Sequence, residues 1–377
     1  MSLVKSSYTT AAGEEEESEE ETEESEASSI HPPPLPQLVA GRYRLQGEIG
    51  SGSYSEVYLG VDEKTGDNVA VKVEWQLAEK GNKLLGEGKF YEALGLHSGE
   101  APNIRWIGSQ GEYNFMVMDL LGPSLDAYFK HCKQFSLKTI LTLAIQIIDR
   151  LEYVHNCGLL YRDIKPHNFL MGLGEDSARV YIVDFGLAKR YVDKTGRHVS
   201  CSSRKRTGIT GISVARYSSI NVHEGVEPSR RDDLEATGYM LMHFLRGDLP
   251  WLGLKARSKK SKHKAISGVK QDTSDEELCR GYPEEFCVFL QYCRSLQFSE
   301  KPNYDFLRNL FRKLFEREGF VDDGIFDWTG MRLPPASERK KHVSCSRDAR
   351  KEREKEANQL QVVEVVNGTR SRSRGRT

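Results

Sequence analysis

No apolar run in this chain approaches the ~20 consecutive residues that a helix needs to cross a bilayer, so no membrane span is expected. The start of the chain also lacks a basic segment followed by an apolar stretch, and a secretory leader is therefore not expected. Cysteine is sparse. Cys132, Cys157, Cys201, Cys279, Cys287, Cys293 and Cys345 are odd in number, scattered, and form no C-x-x-C pair, which argues against a disulfide framework or a zinc ribbon. Free thiols in a reducing compartment, cytoplasmic and/or nuclear, are the expectation.

Net charge is also nearly absent, at -1, but that balance hides an asymmetry. Glu14 to Glu26 is almost all glutamate, whereas Ser337 to Thr377 is rich in lysine and arginine. The segment before residue 42 combines Ser, Thr and Glu with Pro32-Pro33-Pro34-Leu35-Pro36, a composition too poor in apolar surface to offset chain entropy. It reads as an acidic disordered tail over residues 1–41. The basic end, residues 331–377, reads as a second flexible tail.

Between the tails the pattern changes twice. Tyr43 to Ile49, Glu56 to Val61, Val69 to Trp75 and Tyr113 to Met118 are β-rich runs separated by turns containing Gly and Asp. Within them, Leu84, Leu85, Phe90, Tyr91 and Leu94 recur at helical spacing, so one helix is expected to cross a small antiparallel sheet. After Gly122-Pro123 the chain turns helical. Ser136 is a natural N-cap for a helix whose apolar face is Leu137, Ile140, Leu141, Ala144, Ile147, Ile148 and Leu151, and Gly158 supplies its stop. The expectation is an α+β, two-lobed molecule: a β-rich N-lobe over residues 42–121 and a mainly helical C-lobe over residues 122–330.

Several short motifs carry chemistry. Gly50-Ser51-Gly52-Ser53-Tyr54-Ser55-Glu56-Val57 approximates G-x-G-x-x-G-x-V, a loop that folds over nucleotide phosphates because glycine lets the backbone approach them. Glycines also mark ordinary hairpins. Here Ser55 takes the third glycine position and would stiffen the loop tip. Ile49, Gly50, Ser51, Gly52, Ser53 and Val57 are the candidate contacts. In Val69-Ala70-Val71-Lys72, Lys72 stands where its ammonium can neutralise α- and β-phosphate oxygens. Glu87 is the expected partner of that lysine, with Glu79, Glu92 and Glu100 as nearby alternatives.

The decisive segment is Tyr161-Arg162-Asp163-Ile164-Lys165-Pro166-His167-Asn168, followed by Asp184-Phe185-Gly186, which matches the paired H-R-D-x-x-x-x-N and D-F-G signatures of protein kinases. Asp163 would orient a substrate hydroxyl, while Asn168 and Asp184 offer hard oxygens to Mg²⁺. Lys165 would meet the charge that builds on the transferred phosphoryl group, and it favours serine/threonine over tyrosine specificity. Tyr161 replaces the usual histidine, and its ring is expected to pack against Phe185.

From residue 43 to residue 328 the chain resembles the casein kinase I family. The likeness is carried by Met118-Asp119-Leu120-Leu121-Gly122-Pro123-Ser124-Leu125, Lys165-Pro166-His167-Asn168-Phe169-Leu170-Met171-Gly172, Ser219-Ile220-Asn221, Ser229-Arg230-Arg231-Asp232-Asp233-Leu234-Glu235, Leu249-Pro250-Trp251 and Gly281-Tyr282-Pro283. The resemblance implies a bilobal kinase using Mg-ATP on serines or threonines that follow acidic or phosphorylated residues. It also implies that Met118 is the gatekeeper, that Asp119 to Leu121 form the adenine-binding hinge, and that Ala70 and Leu170 sandwich the base. Arg216 and Lys262 match the family's substrate-anion pocket.

There are departures from the pattern. Ala127 stands where many members have an acidic residue near the ribose, and Arg204 to Val214 carries a small insertion. Lys262 lies in a basic cluster, Lys255 to Lys264, that also fits a solvated face, nuclear import or nucleic-acid binding. Protein substrates are the expected partners of a monomeric enzyme; nucleic acid is not. A scaffold or pseudokinase is the competing reading, and the complete set Lys72, Asp163, Asn168 and Asp184 argues against it.

Overall fold

The computed structural model describes residues 32–51, 55–76, 82–95, 99–201 and 212–331. Residues 1–31 of the expected acidic tail and all of the basic tail after Met331 lie outside this range, as do Gly52, Ser53 and most of the Arg204–Val214 segment.

The first lobe is a six-stranded sheet, β1 (Leu38–Val39), β2 (Tyr43–Ser51), β3 (Glu56–Asp62), β4 (Asn68–Trp75), β5 (Ile104–Gln110) and β6 (Tyr113–Asp119), in the order β1-β2-β3-β4-β6-β5. Every neighbouring pair is antiparallel. Helix α1 (Lys83–Leu94) packs against β4, β5 and β6, burying Leu84, Tyr91 and Leu94. This cover explains why Tyr113 to Met118 are buried without alternation, as expected of a strand enclosed on both faces.

The structure adds two strands to the four expected. The two residues of β1 pair with Tyr43 and Arg44 through a turn whose central residues, Ala40 and Gly41, both have positive φ. Val39 is fully buried. The lobe therefore begins at Leu38, inside the stretch assigned to the acidic tail, because a tight hairpin lets even two residues complete a sheet edge. Strand β5 has a register shift between Ile104 and Trp106, and such a bulge breaks the two-residue period that marks a strand in sequence.

The second lobe contains α2 (Leu125–Cys132), α3 (Leu137–Asn156), α4 (Ile212–Tyr217), α5 (Ile220–His223), α6 (Arg230–Arg246), α7 (Lys259–Asp272), α8 (Asp275–Leu278), α9 (Glu284–Ser295) and α10 (Tyr304–Arg317). Short strand pairs join them: β7 (Leu159–Leu160) with β10 (Lys189–Arg190), and β8 (Phe169–Met171) with β9 (Val180–Ile182). Helix α3 starts and stops as its sequence predicts. The Ser136 hydroxyl accepts from the Thr139 amide at 3.3 Å, and Gly158 has φ +77° with Val192 so near that a Cβ would lie 2.5 Å from it. The core of the lobe is α6, buried along nearly its whole length and flanked by α3 and α9.

His243 of α6 is buried, with its Nδ1 2.7 Å from the Tyr217 hydroxyl and its ring 4.7 Å from that of Phe129. Burial, aided by Arg216, lowers its pKa to about 4. Below the ordinary histidine value of ~6.5 the unfolded chain takes up a proton that the folded chain refuses, so this group subtracts stability as pH falls from there toward 4. The stability advantage of the natural chain over a His243→Asn variant should shrink by about 1.4 kcal/mol per pH unit across that window. Urea denaturation of both proteins at pH 7, 6 and 5 measures it; a constant difference would mean that the ring titrates normally.

Candidate active site

The two lobes face one another across a cleft into which three elements place charged side chains. On β4, Val71 and Val73 turn into the sheet core, so Lys72 between them turns toward the cleft. Its Nζ lies 2.7 Å from Oε2 of Glu87 on α1 and 3.1 Å from Oδ1 of Asp184. Burial alone would lower the Lys72 ammonium, but the two carboxylates outweigh it and its pKa is raised. Asp184 behaves in the mirror sense: burial pushes its carboxyl up, Lys72 and Lys165 pull it down further, and the net shift is downward. Glu87 is 4% exposed and also accepts from the Phe185 amide at 3.2 Å. Of the alternatives, Glu100 is bonded to Arg150 and lies near Arg179 instead, and Glu79 lies outside the described residues.

The loop after β7 supplies the second group. Asp163 is 3% exposed. Its Oδ2 accepts from Lys165 Nζ at 2.6 Å and from Asn168 Nδ2 at 2.9 Å, while its buried Oδ1 has no partner. A carboxylate oxygen withdrawn from water with its lone pairs unused is poised to accept a hydrogen bond from an incoming donor. Burial, against the pull of Lys165, raises the Asp163 carboxyl above its ordinary range. A 3₁₀ turn at Pro166–Asn168 brings Asn168 back beneath Asp163, where Nδ2 also donates to the Asp163 carbonyl at 3.0 Å.

This loop is held from below. Asp233, near the start of α6 and 3% exposed, accepts from the Tyr161 and Arg162 amides at 2.8 Å each and pairs with His155 Nε2 at 3.0 Å. Arg162 is thereby kept at φ +68°, in the left-handed region that non-glycine residues seldom occupy. The Tyr161 ring meets Phe185 edge to face at 5.3 Å, and its hydroxyl donates to the Val183 carbonyl at 2.6 Å. The loop bearing Asp163 and the turn bearing Asp184 are thus one packed unit.

The sequence model of the protein kinase domain matches residues 43–313, about seven-tenths of the chain. The chain belongs to the protein kinase family. As a kinase it binds ATP and transfers a phosphoryl group to protein substrates, and the remaining sequence-predicted residues can be placed against that activity.

The residues expected to wall the nucleotide lie on the sheet and at the junction between lobes. Ile49, Gly50 and Ser51 end β2; Val57 faces Gly50 across the β2–β3 ladder; and Ala70 pairs with Met118, both 8% exposed. Leu121 leads from β6 toward α2, and half-buried Leu170 lies on β8. Asp119 turns its carboxylate away from this wall, accepting from Arg105 Nε at 2.7 Å and Asn103 Nδ2 at 2.6 Å, and its amide donates to the Asn103 carbonyl at 3.0 Å. Any adenine contact at Asp119 must therefore use its carbonyl.

Among the described residues no group of three or more His, Cys, Asp or Glu side chains could hold a metal on its own. Asn168 and Asp184 nevertheless fit a hard divalent cation, because such an ion takes only one or two protein oxygens and completes its shell with phosphates and water.

Arg216 lies in the last turn of α4 and Lys262 in the first turn of α7, two helices that pack together. What fixes them is a residue that composition would place on the surface. Lys270 of α7 is 1% exposed, donates to the Ala215 and Ser218 carbonyls at 3.1 and 2.6 Å, and lies 4.6 and 5.0 Å from the Tyr239 and Trp251 ring centres. Asp126, beside the departing Ala127, pairs with Lys130 at 2.7 Å and with His167 of the catalytic-type loop at 3.2 Å.

Proposed function

We propose that this kinase is a serine/threonine kinase of the casein kinase I type, transferring the γ-phosphoryl group of Mg-ATP to residues that follow acidic or phosphorylated positions. The observation that carries the reading is the division of labour on Asp163: Lys165 and Asn168 occupy Oδ2, and Oδ1 is left for a substrate hydroxyl.

In this reading Asp163 orients the hydroxyl and receives its proton as the phosphoryl group moves. Lys165, held beside it, stabilises charge on the transferred group. Lys72, fixed by Glu87, grips the α- and β-phosphates. Asn168 and Asp184 are the residues that would hold Mg²⁺, which when bound neutralises phosphate charge. Ile49, Val57, Ala70, Met118, Leu121 and Leu170 enclose adenine, and Arg216 and Lys262 receive the upstream anion.

The test is transfer from Mg-ATP to three matched peptides carrying phosphoserine, aspartate or alanine three residues before the target serine, with Asp163→Asn as control. Rates should fall in that order. Each charge-assisted hydrogen bond to the anion is worth about 1.5 to 3 kcal/mol, so Arg216→Ala should cut the phosphoserine preference roughly 10- to 100-fold while sparing the alanine peptide. An unranked series would remove the anion role of Arg216 and Lys262. Transfer no faster than the control would remove the enzyme reading itself.

A further inference from the structure

The hinge residues Asp119 and Leu121 have a second side. Behind them lies a cavity of about 380 Å³ that shares only the hinge, Asp119, Leu120 and Leu121, with the expected nucleotide site. It is closed by the β3–β4 turn (Asp67, Asn68), the approach to β5 (residues 99–105) and the β8–β9 turn. Two features distinguish it from an ordinary interlobe crevice.

The first is charge. Asp67, Asp119 and Asp176 line it together with Arg105, which is engaged by Asp67 at 3.0 Å and Asp119 at 2.7 Å, while a second cation, Arg179, stands at the edge over the Tyr181 ring at 5.5 Å. Three carboxylates against these two guanidinium groups leave a formal excess of one negative charge. Asp67 retains 53% exposure of its side chain, so the excess is presented to solvent and is not spent internally. A cation arriving here would meet carboxylates without displacing a buried ion pair.

The second feature is an exposed apolar anchor held rigidly. Leu173 is 50% exposed at the cavity edge. The turn that carries it is tightly made. A Cβ on Gly172 would lie 2.2 Å from the Asp176 carbonyl, and the turn is closed by Gly172 N–H to Arg179 O at 2.9 Å and Arg179 N–H to Asp176 O at 2.8 Å. A leucine on a backbone already fixed loses only side-chain freedom on being covered, which favours binding. Leu120, Pro102 and the Tyr181 ring continue the apolar surface inward from it.

We propose that this cavity docks an extended peptide segment of a protein partner or substrate, one that places an arginine or lysine among the carboxylates and an aliphatic side chain against Leu173. The catalytic cleft would then handle the acceptor residue while the back of the hinge holds a separate, basic part of the same polypeptide. Charge selects the occupant: acidic segments suited to Arg216 and Lys262 are repelled here, so the two sites read opposite chemistries.

Fluorescence anisotropy tests this with the full chain and two labelled octapeptides, one carrying two arginines followed by two leucines, the other with glutamates replacing the arginines. The basic peptide should bind at least tenfold more tightly than the acidic one, and binding should weaken as salt screens the carboxylates. Leu173→Glu and Asp67→Asn/Asp176→Asn should each weaken the basic peptide at least tenfold, while leaving the transfer rate to a free acidic substrate peptide unchanged. Joining the basic octapeptide to that substrate by a flexible linker should lower its KM with the natural chain but not with Leu173→Glu. Equal binding of the two octapeptides, or binding indifferent to both variants, overturns the proposal. Since anisotropy requires no phosphoryl transfer, that failure is separate from a failure of the catalytic reading.

Discussion

Asp163→Asn is expected to lower kcat roughly 10²- to 10⁴-fold, the loss typical of a positioned acid/base group. The substitution is nearly isosteric, and Asn168 Nδ2 and Lys165 Nζ can still donate to an amide oxygen placed at Oδ2. The other position becomes an NH₂ group, which presents donors where the buried Oδ1 offered lone pairs. A substrate hydroxyl then meets a donor, and its proton has no nearby acceptor. ATP affinity should change little, since the Lys72–Glu87 pair is untouched. Single-turnover transfer to the phosphoserine peptide, with nucleotide binding measured in parallel, checks both parts. A rate within fivefold of the natural chain would show that Asp163 acts only by position. Loss of nucleotide binding along with the rate would mean that the loop had collapsed, and the kcat effect could not then be assigned to chemistry.

The legibility of this site follows from how far apart its parts are in sequence. Asp163, Lys165 and Asn168 lie within six residues, and a local turn alone brings them together. Glu87 stood out because it falls on the predicted helix at a distance that one strand and one connection can span. Helix α3 was equally plain, since its cap, its apolar stripe and its terminal glycine all agree. Strand β5 has no legible signature because its bulge interrupts alternation, and β1 has none because two residues give no period at all. The residues whose roles leave no mark in the sequence are Asp233 and Lys270. Each sits in a charged stretch that looks like the solvated face of a helix, and each is buried only because backbone groups more than fifty residues away turn toward it. Such partnerships leave no local pattern.

Asp233→Ala is the second substitution with a large expected effect, and it acts at a distance from the reacting atoms. A carboxylate can only accept, so His155 donates through Nε2 and its Nδ1 accepts from the Tyr304 hydroxyl at 2.6 Å. Removing the carboxylate therefore strands two backbone amides and one imidazole N–H in the core, each costing about 1 to 3 kcal/mol if no water replaces the lost oxygen. Part of that loss is returned, because Arg162 is freed from a left-handed conformation that costs on the order of 1 to 3 kcal/mol. The net loss of stability should be about 3 to 5 kcal/mol, in the range found when one partner leaves a buried charged network. Relaxation of Arg162 is also what damages catalysis: Asp163 is the next residue, and a displacement of about 1 Å at the acceptor is enough to cost on the order of 10²-fold in kcat. Denaturant melts and steady-state rates on the same preparation, taken well below the melting point, separate the two effects. Reduced stability with an unchanged kcat would mean that the 3₁₀ turn and the Tyr161–Phe185 contact hold Asp163 unaided. A parallel fall in both would make Asp233 the residue through which the helical core sets the geometry of phosphoryl transfer.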